Sequence, residues 1–215
     1  MKKIVTLLSA AMMLLAGTSA FAQMSVGVGY VNATDIVKFG KDQTAKGTPG
    51  NGFFAGISYT APLPGGFSFT PGFYYEFQSA EMAAGDSVFA VSGRATEHYI
   101  NIPLDFSYGL DLSRDLRFFV YAGPTVNVGL ASTIKPSATS ALIGLKLDGD
   151  VINCYDDQDY GRFDIMLGGG IGLDIRDNFR VNVGYDFGLL NRYTGKSSDY
   201  SQHRNRFFAG IAFIF

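Results

Sequence analysis

The sequence predicts an all-β fold: a transmembrane, antiparallel, up-and-down β-barrel of eight strands, with short periplasmic turns and long extracellular loops. Three observations predict it. Eight segments alternate large apolar with small or polar side chains, the connections between them are short and long in turn, and the final nine residues, Phe207 to Phe215, place apolar groups at every second position. Side chains of a strand alternate between its two faces, so each such segment is a ribbon with one greasy side. The 27 glycines, 19 phenylalanines and 12 tyrosines, with charged residues at 17%, fit a chain rich in strands and poor in solvated helix surface.

The first 22 residues read as an address rather than as part of the fold. Met1 Lys2 Lys3 is a basic start, Ile4 to Leu15 is a nearly unbroken apolar run of twelve residues, and Ala20 Phe21 Ala22 satisfies the small-x-small rule of signal peptidase. The run is shorter than the ~18 to 20 residues a spanning helix needs. Cleavage is therefore expected after Ala22, with residues 23–215 forming one barrel domain in the outer membrane of a Gram-negative-type bacterium. The residue directly after the cleavage site is Gln23 and not a cysteine, so a lipoprotein anchor is not suggested. Lys2 and Lys3 leave with the signal, so 15 Lys and Arg face 19 Asp and Glu, a formal charge of −4. This mildly acidic balance gives no support to nucleic-acid binding, which wants a concentrated basic face. Cys154 is the only cysteine and has no intramolecular partner, so an incidental loop thiol is expected.

The alternating segments cover residues 24–31, 52–61, 67–78, 97–109, 116–130, 162–176, 179–191 and 204–215. The third is the clearest: Phe67, Phe69, Phe73, Tyr75 and Phe77 share a face, against Ser68, Thr70, Gly72, Tyr74, Glu76 and Gln78. The fourth sets Ile100, Ile102, Leu104, Phe106 and Tyr108 against Tyr99, Asn101, Asp105 and Ser107. In the sixth, Phe163, Ile165, Leu167, Ile171, Leu173 and Ile175 oppose Asp164, Gly168, Gly170, Gly172 and Asp174. The seventh opposes Phe179, Val181, Val183, Tyr185 and Phe187 to Arg180, Asn182, Gly184 and Asp186. The eighth carries Phe207, Ala209, Ile211, Phe213 and Phe215 on one side and is expected to close against Ser25 to Val31 of the first. Alternation alone does not say which face points outward. The apolar stripe is longer and more aromatic than a narrow eight-stranded interior could hold, and the opposite face is too glycine-rich for a solvated exterior. The greasy face therefore meets lipid, where neither charge nor unpaired backbone is tolerated.

Residues 62–66, 110–115 and 177–178 make tight turns, whereas 32–51, 79–96, 131–161 and 192–203 are long and polar. That rhythm places both ends of the barrel on the periplasmic side and the long loops outside. Two aromatic girdles follow: Tyr59, Phe67, Tyr108, Phe118, Phe179 and Phe213 near the inner rim, and Tyr30, Phe53, Phe77, Phe163, Phe187 and Phe207 near the outer. Pro71, Pro103 and Pro124 each remove a ladder donor inside a strand, so bulges or local irregularity are expected there.

The runs Tyr99 Ile100 Asn101 Ile102 Pro103 Leu104 Asp105 Phe106, Tyr121 Ala122 Gly123 Pro124, Arg162 Phe163 Asp164 with Gly168 Gly169 Gly170, and Gly184 Tyr185 Asp186 Phe187 Gly188 Leu189 resemble the porin-family outer-membrane β-barrel domain over essentially the whole exported chain. That family in turn is similar to the small eight-stranded barrels typified by OmpA and OmpX. The end of the chain also resembles the last strand of such barrels, which implies that Phe207, Ile211, Phe213 and Phe215 form the signal read by the barrel-assembly machinery. Outer-membrane lipid is the other expected partner, and a monomer the expected state.

The inner face should receive Glu76, Glu97, Asp105, Asp164, Asp174 and Asp186 together with Arg117, Arg176, Arg180, Arg204 and Arg206. Ionised groups in a cramped interior persist only when paired and hydrogen-bonded, so a charge network that plugs the lumen is expected, with surface interaction left to the loops. A narrow solute conduit is the alternative; open aqueous channels normally appear at about sixteen strands. Asp148, Asp150, Asp156, Asp157 and Asp159 crowd one loop without the regular spacing of a calcium site, and no metal or cofactor is expected. Asp199, Ser201 and His203 share a parity near the start of the last segment, a third option in which the barrel would act on outer-leaflet lipid. The order of these residues is the reverse of the His-x-Ser of such enzymes, and no catalytic activity is expected.

Overall fold

The computed structural model describes residues 23–40, 43–85, 89–140, 145–157, 159–176, 178–195 and 200–215. The expected signal segment, together with Asp177 and Asp199, lies outside them. Eight antiparallel strands form the wall: β1 (Gln23–Phe39), β2 (Gly50–Pro62), β3 (Phe67–Gly85), β4 (Phe89–Ser113), β5 (Leu116–Ser140), β6 (Phe163–Ile175), β7 (Phe179–Gly188) and β8 (Tyr200–Ile214). Each pairs with its neighbours in sequence, and β8 closes the ring on β1 from Ser25 opposite Ile214 to Phe39 opposite Tyr200. Closure leaves no edge with unpaired amides, the condition for a sheet to stand in hydrocarbon.

The wall has the expected polarity. Val26, Val28, Phe53, Phe73, Leu167, Ile171, Val181 and Ile211 are exposed on the outside, whereas Ser25, Ser58, Glu76, Asn101, Asn127 and Asp186 are buried inside. Phe67 meets Tyr108 at 5.0 Å between ring centres and Phe179 meets Phe213 at 5.4 Å near the periplasmic turns. On the opposite rim Tyr30, Phe53, Phe77 and His98 follow one another across β1 to β4. The doublets Phe53–Phe54, Phe118–Phe119 and Phe207–Phe208 each turn one ring to lipid and the other inward. Glycine makes room for the inward rings: a β-carbon at Gly184 would stand 2.5 Å from the Phe208 ring, and one at Gly172 2.3 Å from that of Phe119.

Two expectations need correction and a third is narrowed. The stretches 32–51, 79–96 and 131–161 are largely strand rather than loop: β4 and β5 each run 25 residues, where about 9–11 suffice to span a bilayer. Short strands at Gln43–Lys46, Leu145–Asp148 and Ile152–Asn153 fold back onto β1 and β5. Backbone pairing needs no greasy stripe, and cross-strand polar contacts such as Ser92 Oγ to Ser137 Oγ (2.7 Å) and Ser79 Oγ to the Ala95 carbonyl (3.0 Å) continue the hairpins above the membrane. Second, β7 stops at Gly188 rather than 191, while β8 begins at Tyr200 rather than 204. Third, the prolines bring the local irregularity expected of them but no bulge: pairing lapses between Ser58–Gly72 and Ala61–Phe69 beside Pro71 and between Pro103–Thr125 and Phe106–Ala122 beside Pro103 and Pro124, with the same register on both sides. The shifts between β4 and β5 fall elsewhere, at His98/Tyr99 and at Asp111/Ser113. At the first of these Leu130 is the extra residue, because Tyr99 faces Gly129 and His98 faces Ala131.

Candidate functional site in the barrel lumen

Inward parity on neighbouring strands brings ionised groups to one level of the lumen. Glu76 of β3 is fully buried and accepts from Arg204 Nη2 at 2.5 Å, Arg206 Nη1 at 2.8 Å and Asn101 Nδ2 at 2.8 Å. Arg206 also reaches Asp186 of β7 through Nε (3.0 Å) and Nη2. Asn127 Nδ2 donates to Asn101 Oδ1 at 2.7 Å, carrying the network across β4 to β5. The Arg204 guanidinium lies 3.7 Å from the centre of the Tyr99 ring. Two carboxylates and two guanidiniums thus form a cross-linked layer through the barrel, tying β3, β7 and β8 together. Desolvating four charges is costly, and only this density of mutual contacts makes it tolerable.

The layer divides the interior. On its periplasmic side a cavity of about 100 Å³ is lined by Tyr74, Asp105, Phe119, Tyr121, Asn182 and Phe208 among others. Below it Arg180 holds Asp174 through Nε at 2.6 Å and Nη2 at 2.9 Å, and Arg117 lines the mouth, donating to the Gly66 carbonyl at 3.2 Å. On the extracellular side a larger chamber of about 310 Å³ holds Asp35, Gln78, Glu97, Tyr160, Tyr193 and Tyr200 in its wall. Glu97 accepts from Gln78 Nε2 and from Ser132 Oγ at 3.1 Å. Burial pushes the Asp35 carboxyl up, and the neighbouring Glu97 charge adds to that. Burial also raises the Cys154 thiol, which keeps it a poor nucleophile.

Of the eleven charged residues expected in the lumen, Glu76, Asp186, Arg204 and Arg206 meet in the central layer, and Asp174 and Arg180 form a separate pair. Glu97 belongs to the upper chamber, Asp105 to the lower, and Asp164 accepts the Leu190 amide at 3.1 Å. Arg176 is a correction: it lies exposed in the β6–β7 turn at a left-handed φ of 51°, past the last inward position of the strand. Ser201 and His203 stand on the outward parity of β8, opposite Lys38 and Ile36. Phe207, Ile211, Phe213 and Phe215 are exposed on that same outer face. Among the described residues no cluster of three or more His, Cys, Asp or Glu could hold a metal ion.

Arg192 is the residue that parity could not find. Although it follows β7 in an irregular segment, it is completely buried, donating to the Gly161 carbonyl at 3.2 and 3.3 Å and to Tyr99 Oη at 3.3 Å. Its guanidinium lies over the Tyr160 ring at 4.3 Å. Asn101, Asn127 and Gln78 were legible from their inward parity; counting charges alone passed them over.

A closed eight-stranded wall, apolar outside and ion-paired within, defines a small barrel of the outer membrane. Residues 20–193 match the family described as outer membrane protein beta-barrel domain, and the chain belongs to that family. No curated protein matches the sequence. Among solved structures it is similar to Ail, the attachment invasion locus protein of Yersinia pestis, in complex with sucrose octasulfate, with 14% identity over 90% of this chain and 99% of that one and a TM-score of 0.42. It is likewise similar to Neisserial surface protein A, with 14% identity over 88% and 97% of the two chains and a TM-score of 0.36. The outer membrane enzyme PagL gives 14% identity over 87% and 97%, and a TM-score of 0.43.

Proposed function

We propose that this protein is a closed, non-conducting barrel whose extended outer hairpins carry surface interactions. The carrying observation is the central layer: Glu76, Arg204, Arg206 and Asp186 bridge the lumen, while the hairpins β3–β4 and β4–β5 continue well past the outer aromatic row. A lumen blocked by mutually paired charges leaves the outside as the place where chemistry can meet a partner. The reading assigns no catalysis to Ser201 and His203. It takes lipid as the partner of the wall, the barrel-assembly machinery as the reader of Phe207, Ile211, Phe213 and Phe215, and the monomer as the working state.

Efflux from proteoliposomes tests it. Purified, refolded protein should release sugars and monovalent ions no faster than empty vesicles do. Release that falls with increasing solute size would show an open pore and overturn the reading.

A further inference from the structure

We propose that the extracellular chamber is a binding site for a small organic ammonium ion, held by Asp35, Gln78 and Glu97 beside the rings of Tyr193 and Tyr200. Its volume of about 310 Å³ lies within the range of pockets that enclose small ligands. The proposal rests on the closed-lumen reading in one respect, since the Arg204–Glu76 layer is the floor of the site.

The chamber wall offers three acceptor side chains, Gln78, Asp35 and Glu97. Gln78 is 3% exposed, and its Nε2 donates to Glu97 Oε2, which fixes the orientation of the amide and leaves the buried Oε1 with no hydrogen-bond partner. An unpaired buried acceptor is costly, and an N–H from a ligand would satisfy it. Asp35, also in the chamber wall, accepts from Tyr160 Oη at 3.3 Å and from Gln202 Nε2 at 2.9 Å, both on Oδ2. A third acceptor, the Glu97 carboxylate, lines the same chamber. Arg204 Nε and Nη1 also lack hydrogen-bond partners, while its guanidinium stacks on Tyr99 and its charge is matched by Glu76 through Nη2.

Charge balance points the same way. Glu76 and Asp186 are matched by Arg204 and Arg206. Around the chamber Asp35 and Glu97 make no ion pair among the described residues, and the nearby Arg192 donates to Gly161 and Tyr99 instead. Two carboxyls against one guanidinium leave room for one more cation. Tyrosine rings attract ammonium groups through their faces, and Tyr193 and Tyr200 pack edge to face at 4.5 Å to form one such wall. The lack of a metal-holding cluster among the described residues favours an organic cation over a bare metal ion.

Calorimetric titration of the refolded protein at neutral pH with phenethylammonium chloride tests the site, with 2-phenylethanol as the neutral counterpart and calcium chloride as the metal control. Saturable binding with a Kd below about 1 mM is expected, at least about tenfold tighter than for the alcohol. Asp35→Asn and Glu97→Gln should each weaken it by about tenfold or more while the heat-dependent gel shift of the folded barrel persists. No saturation, equal binding of the alcohol, displacement by calcium, or unchanged affinity in the folded variants would each overturn the proposal. If a variant fails to fold, the comparison of cation with alcohol on the wild type still decides. Vesicle efflux needs no ligand, so failure of the closed-lumen reading is seen separately.

Discussion

Replacing Glu76 with alanine should destabilise the barrel by about 3–5 kcal/mol, the usual cost of removing one partner from a buried ion pair. The magnitude follows from what is left behind. Arg206 keeps Asp186, but Arg204, 1% exposed, loses the carboxylate that pairs with it, and the Asn101 amide loses its acceptor. An orphaned amide adds about 1–3 kcal/mol, part of which water entering the enlarged cavity would return. Glu76→Gln keeps an acceptor for one guanidinium and should cost roughly half as much. Reversible urea unfolding in thin phospholipid vesicles, followed by tyrosine fluorescence and by gel shift, measures the difference. Removing this side chain also joins the chambers above and below, so ion efflux should rise above wild type. A loss of less than about 1 kcal/mol in the alanine variant, with efflux unchanged, would refute the claim that this layer holds and seals the barrel.

Two further outcomes are expected. Ile171→Arg puts a charge on the lipid face near mid-height of β6 and should cost about 2–4 kcal/mol in vesicle unfolding; a neutral result would contradict the placement of this face in hydrocarbon. Asp35 has a carboxyl raised above its ordinary value of 3.8 by burial and by Glu97, against the opposing pull of Arg192 and Arg204. A raised folded value means that the folded form binds the proton more tightly. Its stabilising contribution is full below pH 3.8 and is lost as pH rises through the folded value. Protease resistance of the outer hairpins should therefore fall on passing from acid to neutral pH, and Asp35→Asn should flatten that dependence; an unchanged profile in the variant would assign the effect to other groups.

The wall was legible because a bilayer imposes a strict rule on every second residue. Leu167 and Ile171 have to be apolar, and Asp164, Gly168 and Asp186 have to turn away, so period two identifies the strands and their faces together. Above the membrane that rule lapses. Ser92, Arg94, Ser137 and Lys135 pair across β4 and β5 through their backbones, and their polar side chains read as loop. The central layer was half legible: parity put Glu76, Arg204 and Arg206 inside, but which carboxylate meets which guanidinium depends on the stagger between strands far apart in sequence. Arg192 was hidden for a different reason. It lies off the strands, and its burial comes from Tyr99 and Tyr160, which three-dimensional folding alone brings to it.

The extra residue at Leu130 works as a phase inverter. Below it the odd-numbered side chains of β5, such as Thr125 and Asn127, point inward; above it Ser132 is buried and Ile134 lines the upper chamber. The outer part of the β4–β5 hairpin is thereby written in a frame opposite to that of its membrane part. Deleting Leu130 would leave Ser132 opposite Glu97 and merge the two frames into one regular strand, whereas straightening the strand with Leu130 in place would turn Ser132 and Ile134 to the outside and bring Ala131 and Thr133 to the chamber.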